Sequence, residues 1–274
     1  MYSPTKLNYM TTTECNQRCS KCSHWKMKDQ SPRLATDPLI TAILGISTVN
    51  ELCIAGGEPL LFKEEIYRIL SGISKTNIRT VVITNGVLMD SRFIDSISSF
   101  NIHLVVSIDT LDHIFWKFVR GIDSYHTVLG NLEYALKQLT SNKLSIQSVL
   151  SEETRFHVES VSEYARDKNI YHSIQNYIST GFEGSWTEIE FDPTLRPTLG
   201  QQCFAAGKNI SIMQNGDVYT CFQQNLIPDC EKPIGNLHYQ RIEEILCSEY
   251  LKRIFDKMTV CNMPCKVLKC NTKS

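Results

Sequence analysis

The chain has 274 residues, and 42% of them are hydrophobic, which is enough for one large domain or for a domain with an appendage. Its 28 Lys and Arg residues against 29 Asp and Glu residues give a net charge of −1, so neither a nucleic acid nor an anionic membrane is favoured as a partner. A small or neutral substrate is the partner that this composition favours.

The sequence shows no targeting or membrane signal. Residues 1–10 lack the apolar core of a secretory signal, and no stretch approaches the roughly 18 apolar residues that are needed to cross a bilayer. We therefore expect a cytoplasmic protein. Because cytosolic thiols are kept reduced, its 11 cysteines favour metal or cluster ligation over disulfides.

Short β-branched runs alternate with amphipathic stretches from about residue 6 to residue 177, which is typical of βα units around a parallel sheet. We predict six strands, at residues 7–13, 51–55, 80–84, 103–108, 144–150 and 171–178. We predict five helices, near residues 37–47, 63–74, 88–99, 124–140 and 154–168. Because a closed barrel has eight strands, we expect a partial (β/α)6 TIM-like barrel with its active site at the carboxyl ends of the strands.

The pattern changes after the sixth predicted strand. Residues 179–200 hold three glycines and two prolines and predict a linker between a core domain at 1–178 and a small domain at 201–274. In the small domain, two alternating runs flank Asn215-Gly216, which is a strong hairpin signal. An amphipathic helix is predicted near residues 239–257.

Three cysteines follow the first predicted strand, at the end of the sheet where such folds carry out chemistry: Cys15, Cys19 and Cys22. The nearest fourth cysteine is Cys53, so three thiols leave one position of a tetrahedral metal or of a cubane cluster open. The second predicted strand is followed directly by Gly-Gly-Glu-Pro at residues 56–59. Taken alone, that motif is explained equally well by an ordinary turn from a strand into a helix.

Taken together, the two motifs resemble those of the radical S-adenosylmethionine (SAM) superfamily. In that family, three cysteines of a Cx3Cx2C loop hold three irons of a [4Fe-4S] cluster, and the amine and carboxylate of SAM chelate the fourth iron. The resemblance implies that Cys15, Cys19 and Cys22 hold such a cluster and that SAM takes the open position.

The resemblance also implies which residues contact SAM. Glu58 matches the acid that accepts a hydrogen bond from the SAM amino group, and the backbone of Gly56, Gly57 and Pro59 forms the turn near its methionyl portion. The residues implied near the SAM ribose and carboxylate are Asn85, Ser107, Asp109 and Arg120.

Near the adenine of SAM the sequence departs from the family's pattern. Lys21 stands where the family usually has an aromatic residue, so His24 or Trp25 is expected to supply that contact. No histidine has metal-ligand spacing. His103 is expected to be a satisfied core or site-lining residue, and His172, near the end of the sixth strand, is a candidate base for the substrate.

The C-terminal region holds a second group of cysteines: Cys203, Cys221, Cys261, Cys265 and Cys270. Buried free cysteines are the plain alternative. With the hairpin between the first two cysteines and Ile-Gly-Asn-Leu at 234–237, the segment resembles the auxiliary-cluster extension called twitch, a shortened SPASM domain. The resemblance implies one auxiliary [4Fe-4S] cluster, held by Cys203, Cys221 and two of the last three cysteines, of which Cys261 and Cys265 are preferred and Cys270 is held in reserve.

Three cysteines remain outside these groups. Cys53, on a strand, and Cys247, in a helix, are predicted to be core residues. Cys230 lies in a Pro-Asp-Cys-Glu loop, where we expect it to be exposed and able to donate a hydrogen atom to a substrate radical.

The resemblance implies reductive cleavage of SAM to methionine and a 5′-deoxyadenosyl radical, with an external one-electron reductant such as flavodoxin or ferredoxin. Two enzyme hypotheses follow. The first is dehydrogenation of a small hydroxylated or amino-bearing natural-product intermediate, as in the aminocyclitol dehydrogenases that this compact architecture resembles. The second is epimerisation or cross-linking of a ribosomal precursor peptide, which we place second because the sequence shows no added recognition domain. A structural zinc protein is the non-enzyme alternative, and it leaves Gly-Gly-Glu-Pro unexplained.

Overall fold

The structure is a computed structural model that describes residues 2–22, 24–27, 31–177, 203, 205–224, 227 and 229–260. The strands in these ranges are β1 (Lys6–Met10), β2 (Glu51–Ala55), β3 (Arg79–Thr84), β4 (Ile102–Ser107), β5 (Leu144–Leu150), β6 (Tyr171–Asn176), β7 (Asn209–Ile212), β8 (Asp217–Tyr219) and β9 (Gly235–Asn236). The α-helices are α1 (Thr36–Gly45), α2 (Lys63–Gly72), α3 (Ser91–Ile97), α4 (His113–Arg120), α5 (Tyr125–Gln138), α6 (Val158–Asp167), α7 (Ile242–Leu246) and α8 (Glu249–Val260). None of these helices combines the length and the apolar character that a membrane crossing requires.

The chain forms two compact units. The barrel unit consists of Thr11–Asp29 and Ile54–Tyr177, and the terminal unit consists of Met1–Met10, Gln30–Cys53 and Ile178–Ser274. Both units are discontinuous in sequence, whereas the predicted domains are continuous. The predicted linker at 179–200 lies outside the described residues, so the division into domains at 1–178 and 201–274 stays a prediction.

In the barrel unit, β3, β4, β5 and β6 pair in parallel with their sequence neighbours. A parallel pair needs a long crossover, which α3, α4, α5 and α6 supply. The β-branched and leucine side chains of the strands, such as Val82, Leu104 and Ile146, are fully buried, as are Ile94 and Leu132 on the helices. Among the described strands β6 has a neighbour on one side only, so the sheet stays open. The predicted α/β fold with an unclosed parallel sheet is confirmed.

The elements predicted up to residue 178 are found, with one addition. All six strands and all five helices predicted up to residue 178 are present, with shifted ends at most of them. Helix α4 was not predicted, because its sequence HIFWKFVR is rich in aromatic and β-branched residues, which are modest helix formers. It begins where the Asp112 carboxylate accepts a hydrogen bond from Phe115 N (2.8 Å).

The terminal unit joins sequence-distant strands. Strand β1 pairs in parallel with β7, β7 pairs antiparallel with β8, and β8 pairs antiparallel with β9. The hairpin predicted at Asn215-Gly216 is confirmed as the turn between β7 and β8. The core of the terminal unit includes the buried side chains Leu7, Tyr9, Ile210, Ile212 and Val218.

The long helix predicted near 239–257 is two helices, α7 and α8. The break falls at Cys247 and Ser248, where the Ser248 hydroxyl caps α8 by accepting a hydrogen bond from Leu251 N (3.2 Å). Cys247 is exposed at this break, so its prediction as a core residue is wrong. Cys53 on β2 is buried, as predicted.

Candidate active site

The cluster loop, residues 11–22, carries Cys15, Cys19 and Cys22 and is attached to the end of α4. Arg18 N donates a hydrogen bond to Arg120 O (3.0 Å), and Ser20 N donates one to Val119 O (3.0 Å). Gly121 ends the helix at φ 71°, and a Cβ atom there would lie 2.3 Å from Arg18 O. The unpredicted helix therefore determines where the cysteines stand.

The Cys15 thiol of this loop already has hydrogen-bond donors around it. Cys15 Sγ accepts from Gln17 N (3.4 Å) and from Asn85 Nδ2 (3.7 Å). Burial raises the pKa of the Cys15 thiol to about 11 and also raises the pKa of Cys19. Without a metal these groups are thiols, and thiolate ligation would release their protons.

The Gly-Gly-Glu-Pro turn presses directly against the cluster loop. Gly57 N donates to Thr12 O (2.7 Å), and Glu58 N donates to Glu14 O (2.8 Å). A Cβ atom on Gly57 would lie 2.0 Å from Glu14 O, so no side chain fits at this position. The two sequence motifs therefore meet through their backbones, and the glycine is required by that close approach.

Glu58 is a fully buried carboxylate with three protein donors. Oε1 accepts hydrogen bonds from Thr84 Oγ1 (2.7 Å) and Leu60 N (3.0 Å), and Oε2 accepts one from Asn85 N (2.8 Å). Burial raises the pKa of this carboxyl, and the three donors oppose that rise. Since a carboxylate offers about four acceptor sites, about one site is left for a ligand.

Arg120 and Asp109 form a buried ion pair. Arg120 Nη2 lies 2.9 Å from Asp109 Oδ2, and Asp109 Oδ1 accepts a hydrogen bond from Val149 N (2.7 Å). Neither Nη2 nor Nε makes a hydrogen bond to any of the residues that the structure describes. Burial alone would lower the pKa of Arg120, but Asp109 and Cys19 beside it raise it. Buried donors without an acceptor are costly, so this side chain suits an anionic group of a ligand.

A cavity of about 240 Å³ connects these groups within the barrel unit. It is lined by Cys15, Cys19 and Cys22 and by most of the residues implied for SAM: Gly56, Gly57, Glu58, Asn85, Ser107, Asp109 and Arg120. Pro59 is buried and begins a short 3-10 helix outside this lining. A three-thiol loop, a buried acceptor and a buried cation on one cavity are a donor set that fits a cluster and SAM.

The predicted adenine contacts lie outside this lining. His24 and Trp25 are in a short 3-10 helix, where Trp25 Nε1 donates to Cys19 O (3.3 Å) and burial lowers the pKa of His24. Lys21 does line the cavity: its ammonium lies 3.7 Å from Glu153 Oε1 and 5.2 Å from the centre of the Tyr177 ring. Sequence reasoning missed Glu153 and Tyr177, although their places after β5 and β6 are at the carboxyl ends of strands.

Neither His172 nor His103 lines the cavity. The ring nitrogens of His172 lie 2.8 Å from Ser148 Oγ and 2.9 Å from Ser162 Oγ. Those of His103 lie 2.8 Å from Asn142 O and 2.8 Å from Ser145 Oγ, as expected for a satisfied histidine. Both rings therefore serve the local structure of the barrel unit.

Two cysteines of the second group are described, and both are in the terminal unit. Cys203 is buried and Cys221 is half-buried, whereas Cys261, Cys265 and Cys270 lie outside the described residues. No three His, Cys, Asp or Glu side chains converge on a single metal ion in the part of the chain that the structure describes. The three thiolates of a cubane bind different iron atoms, so the cluster loop does not require such convergence.

The loop after Cys221 is closed by the side chain of Gln224. Its Oε1 accepts from Thr220 N (2.8 Å) and Thr220 Oγ1 (3.1 Å), and its Nε2 donates to Cys230 O (2.8 Å) and Lys232 O (2.7 Å). Cys230 is folded inward and only 1% exposed, so the expectation that it is exposed is wrong.

The barrel unit is an open α/β barrel whose cavity carries three thiols, a buried carboxylate and a buried arginine. This combination is typical of enzymes that use an iron–sulfur cluster together with SAM. The family model of the Radical SAM superfamily matches residues 9–165, more than half of the sequence, and this chain belongs to that superfamily. A second model, described as an iron-sulfur cluster-binding domain (SPASM), matches residues 203–271. Together the two matches imply a [4Fe-4S] cluster, an auxiliary cluster and SAM as cofactors.

Curated relatives match part of the chain. The GTP 3′,8-cyclase of Synechocystis sp. is 29% identical over 147 residues, which are 51% of this chain and 44% of the relative. The GTP 3′,8-cyclase of Campylobacter jejuni is 27% identical over 175 residues, 60% of this chain and 53% of the relative. Molybdenum cofactor biosynthesis protein 1 of Dictyostelium discoideum is 28% identical over 201 residues, which are 68% of this chain and 30% of the relative. The chain thus spans about half or less of these relatives.

Solved structures share the fold over nearly the whole chain. Streptococcus suis SuiB bound to S-adenosylmethionine superposes with a TM-score of 0.77 at 16% identity, covering 97% of this chain and 74% of SuiB. The anSMEcpe structure with AdoMet and the Cp18Cys peptide has a TM-score of 0.70 at 16% identity, covering 98% of this chain and 88% of anSMEcpe. BtrN in complex with AdoMet and 2-DOIA has a TM-score of 0.60 at 13% identity, covering 98% of this chain and 92% of BtrN.

Proposed function

We propose that this radical SAM enzyme is an oxidoreductase that dehydrogenates a small hydroxylated or amino-bearing natural-product intermediate. The observation that carries the proposal is the cavity, because it holds three thiols, a buried acceptor and a buried cation in about 240 Å³. This volume is smaller than the roughly 300 Å³ at which ligand pockets usually begin, so a substrate that shares the cavity with SAM must be small.

The proposed roles follow from the contacts. Cys15, Cys19 and Cys22 hold the cluster, and the remaining acceptor site of Glu58 receives the SAM amino group. The cluster and SAM together supply one-electron chemistry that removes a hydrogen atom from an unreactive C–H bond. Asp109 holds the Arg120 guanidinium, whose Nε has no hydrogen-bond partner among the described residues and would donate to the SAM carboxylate.

The other lining residues orient the cofactor and exclude water. Gly56 and Gly57 let the backbone of the turn approach the methionyl portion, and Asn85 and Ser107 stand at the ends of their strands toward the ribose. Buried walls keep bulk water away from a reactive centre and hold one C–H bond in place. His24 and Pro59 lie outside the lining, and in this proposal they support the residues that contact SAM.

In the C-terminal segment, we assign Cys203 and Cys221, with two of Cys261, Cys265 and Cys270, to the auxiliary cluster. This group can take up the second electron of a two-electron oxidation. The reaction would balance if the substrate gave one hydrogen atom to the SAM-derived carbon, one electron to the auxiliary cluster and one proton to solvent, and if the auxiliary cluster passed its electron on to an external acceptor. An external flavodoxin-type or ferredoxin-type protein supplies the electron that starts each turnover.

A ribosomal peptide is the second candidate substrate. Structures named for SuiB bound to precursor peptide SuiA and for anSMEcpe with a peptide share this fold over 97% and 98% of the chain. Identity of 16% transfers the fold and not the substrate. For a peptide epimerase the hydrogen donor would be a cysteine, and the burial of Cys230 weighs against that residue in this role unless the loop opens.

The mass of the product separates the two functions. The holoenzyme, reconstituted without oxygen, is incubated with SAM, dithionite and the products of neighbouring biosynthetic steps, and 5′-deoxyadenosine is measured with the product mass. We expect a small product that is lighter than its substrate by two hydrogens. A product of unchanged mass that gains one deuterium in D2O indicates an epimerase, and a peptide lighter by two hydrogens with a new cross-link contradicts the small-molecule proposal.

A further inference from the structure

Three polar side chains lie in one row across strands β4, β5 and β6 of the barrel unit. Ser107 pairs in register with Gln147, and Gln147 pairs in register with Ser173. Side chains that are paired in register on neighbouring parallel strands leave the sheet on the same face. Strands of a parallel sheet are usually almost continuously apolar, so a polar row across three of them calls for an explanation. We call Ser107, Gln147 and Ser173 the polar row.

The polar row lies on the face of the sheet that carries the cavity. On the opposite face, Ser148 Oγ lies 2.8 Å from His172 Nε2, and His172 Nδ1 lies 2.9 Å from Ser162 Oγ on helix α6. Because successive side chains of a strand alternate between the two faces, the row residues that precede Ser148 and follow His172 point away from that helix. Ser107, at one end of the row, lines the cavity. The polar row therefore continues the cavity wall from Ser107 toward β6.

The fold leaves the side chains of the polar row without hydrogen bonds. None of the three is bonded to another residue in the described part of the chain, although Ser173 is only 9% exposed. The other serines of β5, in contrast, are engaged: Ser145 Oγ lies 2.8 Å from His103 Nε2, and Ser148 Oγ donates to Ile108 O. A buried polar group without a partner costs free energy, so a ligand that supplies the missing bonds is favoured.

The polar row offers hydrogen bonds without charge. Each serine hydroxyl can donate and accept, and the Gln147 amide has two donor hydrogens and an acceptor oxygen. The next row on the same face is uncharged as well: Ile83, Val105, Ser145 and Tyr171. Such a wall matches the hydroxyl groups of a neutral molecule. An ammonium or phosphate group would lose water there without gaining a counter-charge.

The charged side chains of the adjoining cavity are already engaged. Arg120 Nη2 lies 2.9 Å from Asp109 Oδ2, and the Lys21 ammonium lies 3.7 Å from Glu153 Oε1. Glu58 accepts three hydrogen bonds from the protein, and in the proposed function its remaining acceptor site serves SAM. None of these five groups is left over to balance a charge on the substrate.

We infer that Gln147 and Ser173 bind hydroxyl groups of a neutral polyhydroxylated substrate and so present one of its C–H bonds to the SAM-derived carbon. The inference rests on the proposed function and narrows it, because the polar row favours the hydroxylated type of substrate over a charged one. The cavity of about 240 Å³ is shared with SAM, so a wall beside it has to supply part of the substrate's contacts. A few well-placed polar groups in a site fix the orientation of a ligand and exclude the wrong one.

The first test compares neutral with charged probes. The holoenzyme, reconstituted without oxygen, is supplied with SAM and dithionite, and 5′-deoxyadenosine is measured. Myo-inositol and methyl α-glucoside are neutral polyols, whereas 2-deoxystreptamine is cationic and glucose 6-phosphate is anionic. We expect a neutral polyol to raise the rate of 5′-deoxyadenosine formation in a saturable way, and the charged probes to leave that rate at its level without substrate.

The second test changes the polar row. Gln147→Leu keeps the size of the side chain and removes its hydrogen bonds, and Ser173→Ala removes one hydroxyl. Each variant is expected to raise KM for the neutral polyol about tenfold, the effect of about one lost hydrogen bond, while iron content and the affinity for SAM in calorimetry are unchanged. The matched control is Gln138→Leu at the exposed end of α5, which should change none of these quantities.

The outcomes are distinct. A wild-type holoenzyme that holds iron and SAM but forms no 5′-deoxyadenosine with dithionite contradicts the proposed function itself. If SAM is cleaved, stimulation by a charged probe, or by none of the four probes, overturns the assignment of a neutral polyhydroxylated substrate. An unchanged KM in both variants, or a KM that rises together with weaker SAM binding, overturns the role of the polar row. A tenfold rise in KM with unchanged affinity for SAM supports it.

Discussion

Gly57 is the residue at which the two sequence motifs become one site. The sequence predicted its closeness to a ligand, and the structure shows that its first neighbour is the backbone of the cluster loop itself. Motif residues such as Cys15 and Glu58 were visible because their spacing is local. Glu153 and Tyr177 were not, since only the folded sheet brings the ends of β5 and β6 to Lys21.

Gly57→Ala should therefore disturb the cluster loop. The added Cβ atom would lie 2.0 Å from Glu14 O, so the backbone must shift, and we expect a loss of about 3 kcal/mol in the free energy of unfolding together with poor iron uptake. Urea unfolding and iron analysis after reconstitution measure both effects. The control is Gly130→Ala on α5, where a Cβ atom meets nothing within 4 Å and a helical alanine should add about 0.5–1 kcal/mol. Equal behaviour of the two variants would contradict this account.

Glu58→Gln should weaken both the turn and the binding of SAM. Glutamine keeps one oxygen and replaces the other by an NH2 group, which cannot accept, so either the bonds from Thr84 and Leu60 or the bond from Asn85 is lost. We expect a loss of about 1–3 kcal/mol in the free energy of unfolding, with weaker SAM binding and unchanged iron. Because burial raises its pKa, the wild-type carboxyl contributes stability at low pH that is lost as the pH rises through that pKa, and the variant lacks this dependence. Glu64→Gln, an exposed residue on α2, is the control. Unchanged SAM affinity in calorimetry would remove Glu58 from the cofactor site.

At the scale of elements, the alternation of β-branched runs with amphipathic stretches located the strands and most helices. It failed for α4 and for the break between α7 and α8. Both depend on single capping residues, Asp112 and Ser248, whose effect is local and weak until tertiary packing adds to it. The exposure of Cys230 was mispredicted for a related reason: the Gln224 amide that folds its loop inward acts over six residues.

Gln224→Ala should open the loop between β8 and β9. The change removes all four hydrogen bonds of the amide and leaves the N–H of Thr220 and the carbonyls of Cys230 and Lys232 without that partner. We expect a loss of about 1–3 kcal/mol in the free energy of unfolding, and lower iron content because Cys221 lies within the loop. Gln138→Ala, at the exposed end of α5, is the matched control. Full stability and full iron content in Gln224→Ala would show that the four hydrogen bonds of the Gln224 amide are dispensable.

At the scale of the whole molecule, the two cysteine groups lie in different compact units. Cys15, Cys19 and Cys22 belong to the barrel unit, and Cys203 and Cys221 belong to the terminal unit. The resemblance to the radical SAM superfamily and to the twitch extension implied two clusters, but the assembly of the terminal unit from three separate segments has no local sequence signal.

Iron content should therefore divide between the two groups. The wild type is expected to bind about eight irons, and replacing Cys15, Cys19 and Cys22 by alanine should leave about four irons without SAM cleavage. Replacing Cys203 and Cys221 by alanine should also leave about four, with SAM cleavage retained and the oxidised product lost. Iron analysis and 5′-deoxyadenosine assays read both results. Full iron content in the first variant would contradict the assignment of the cluster loop.

Strand β1 has to wait for its partner β7 during synthesis. Asn8 and Ser211, which are hydrogen-bonded across these strands, are 203 residues apart. At about 5–20 residues per second, a ribosome needs roughly 10–40 s to make the second strand after the first. For that time Leu7 and Tyr9, fully buried in the finished protein, lack this neighbour. Long-range parallel pairing is slow and exposes chains to aggregation, so chaperones that shield nascent apolar segments should increase the yield of folded enzyme.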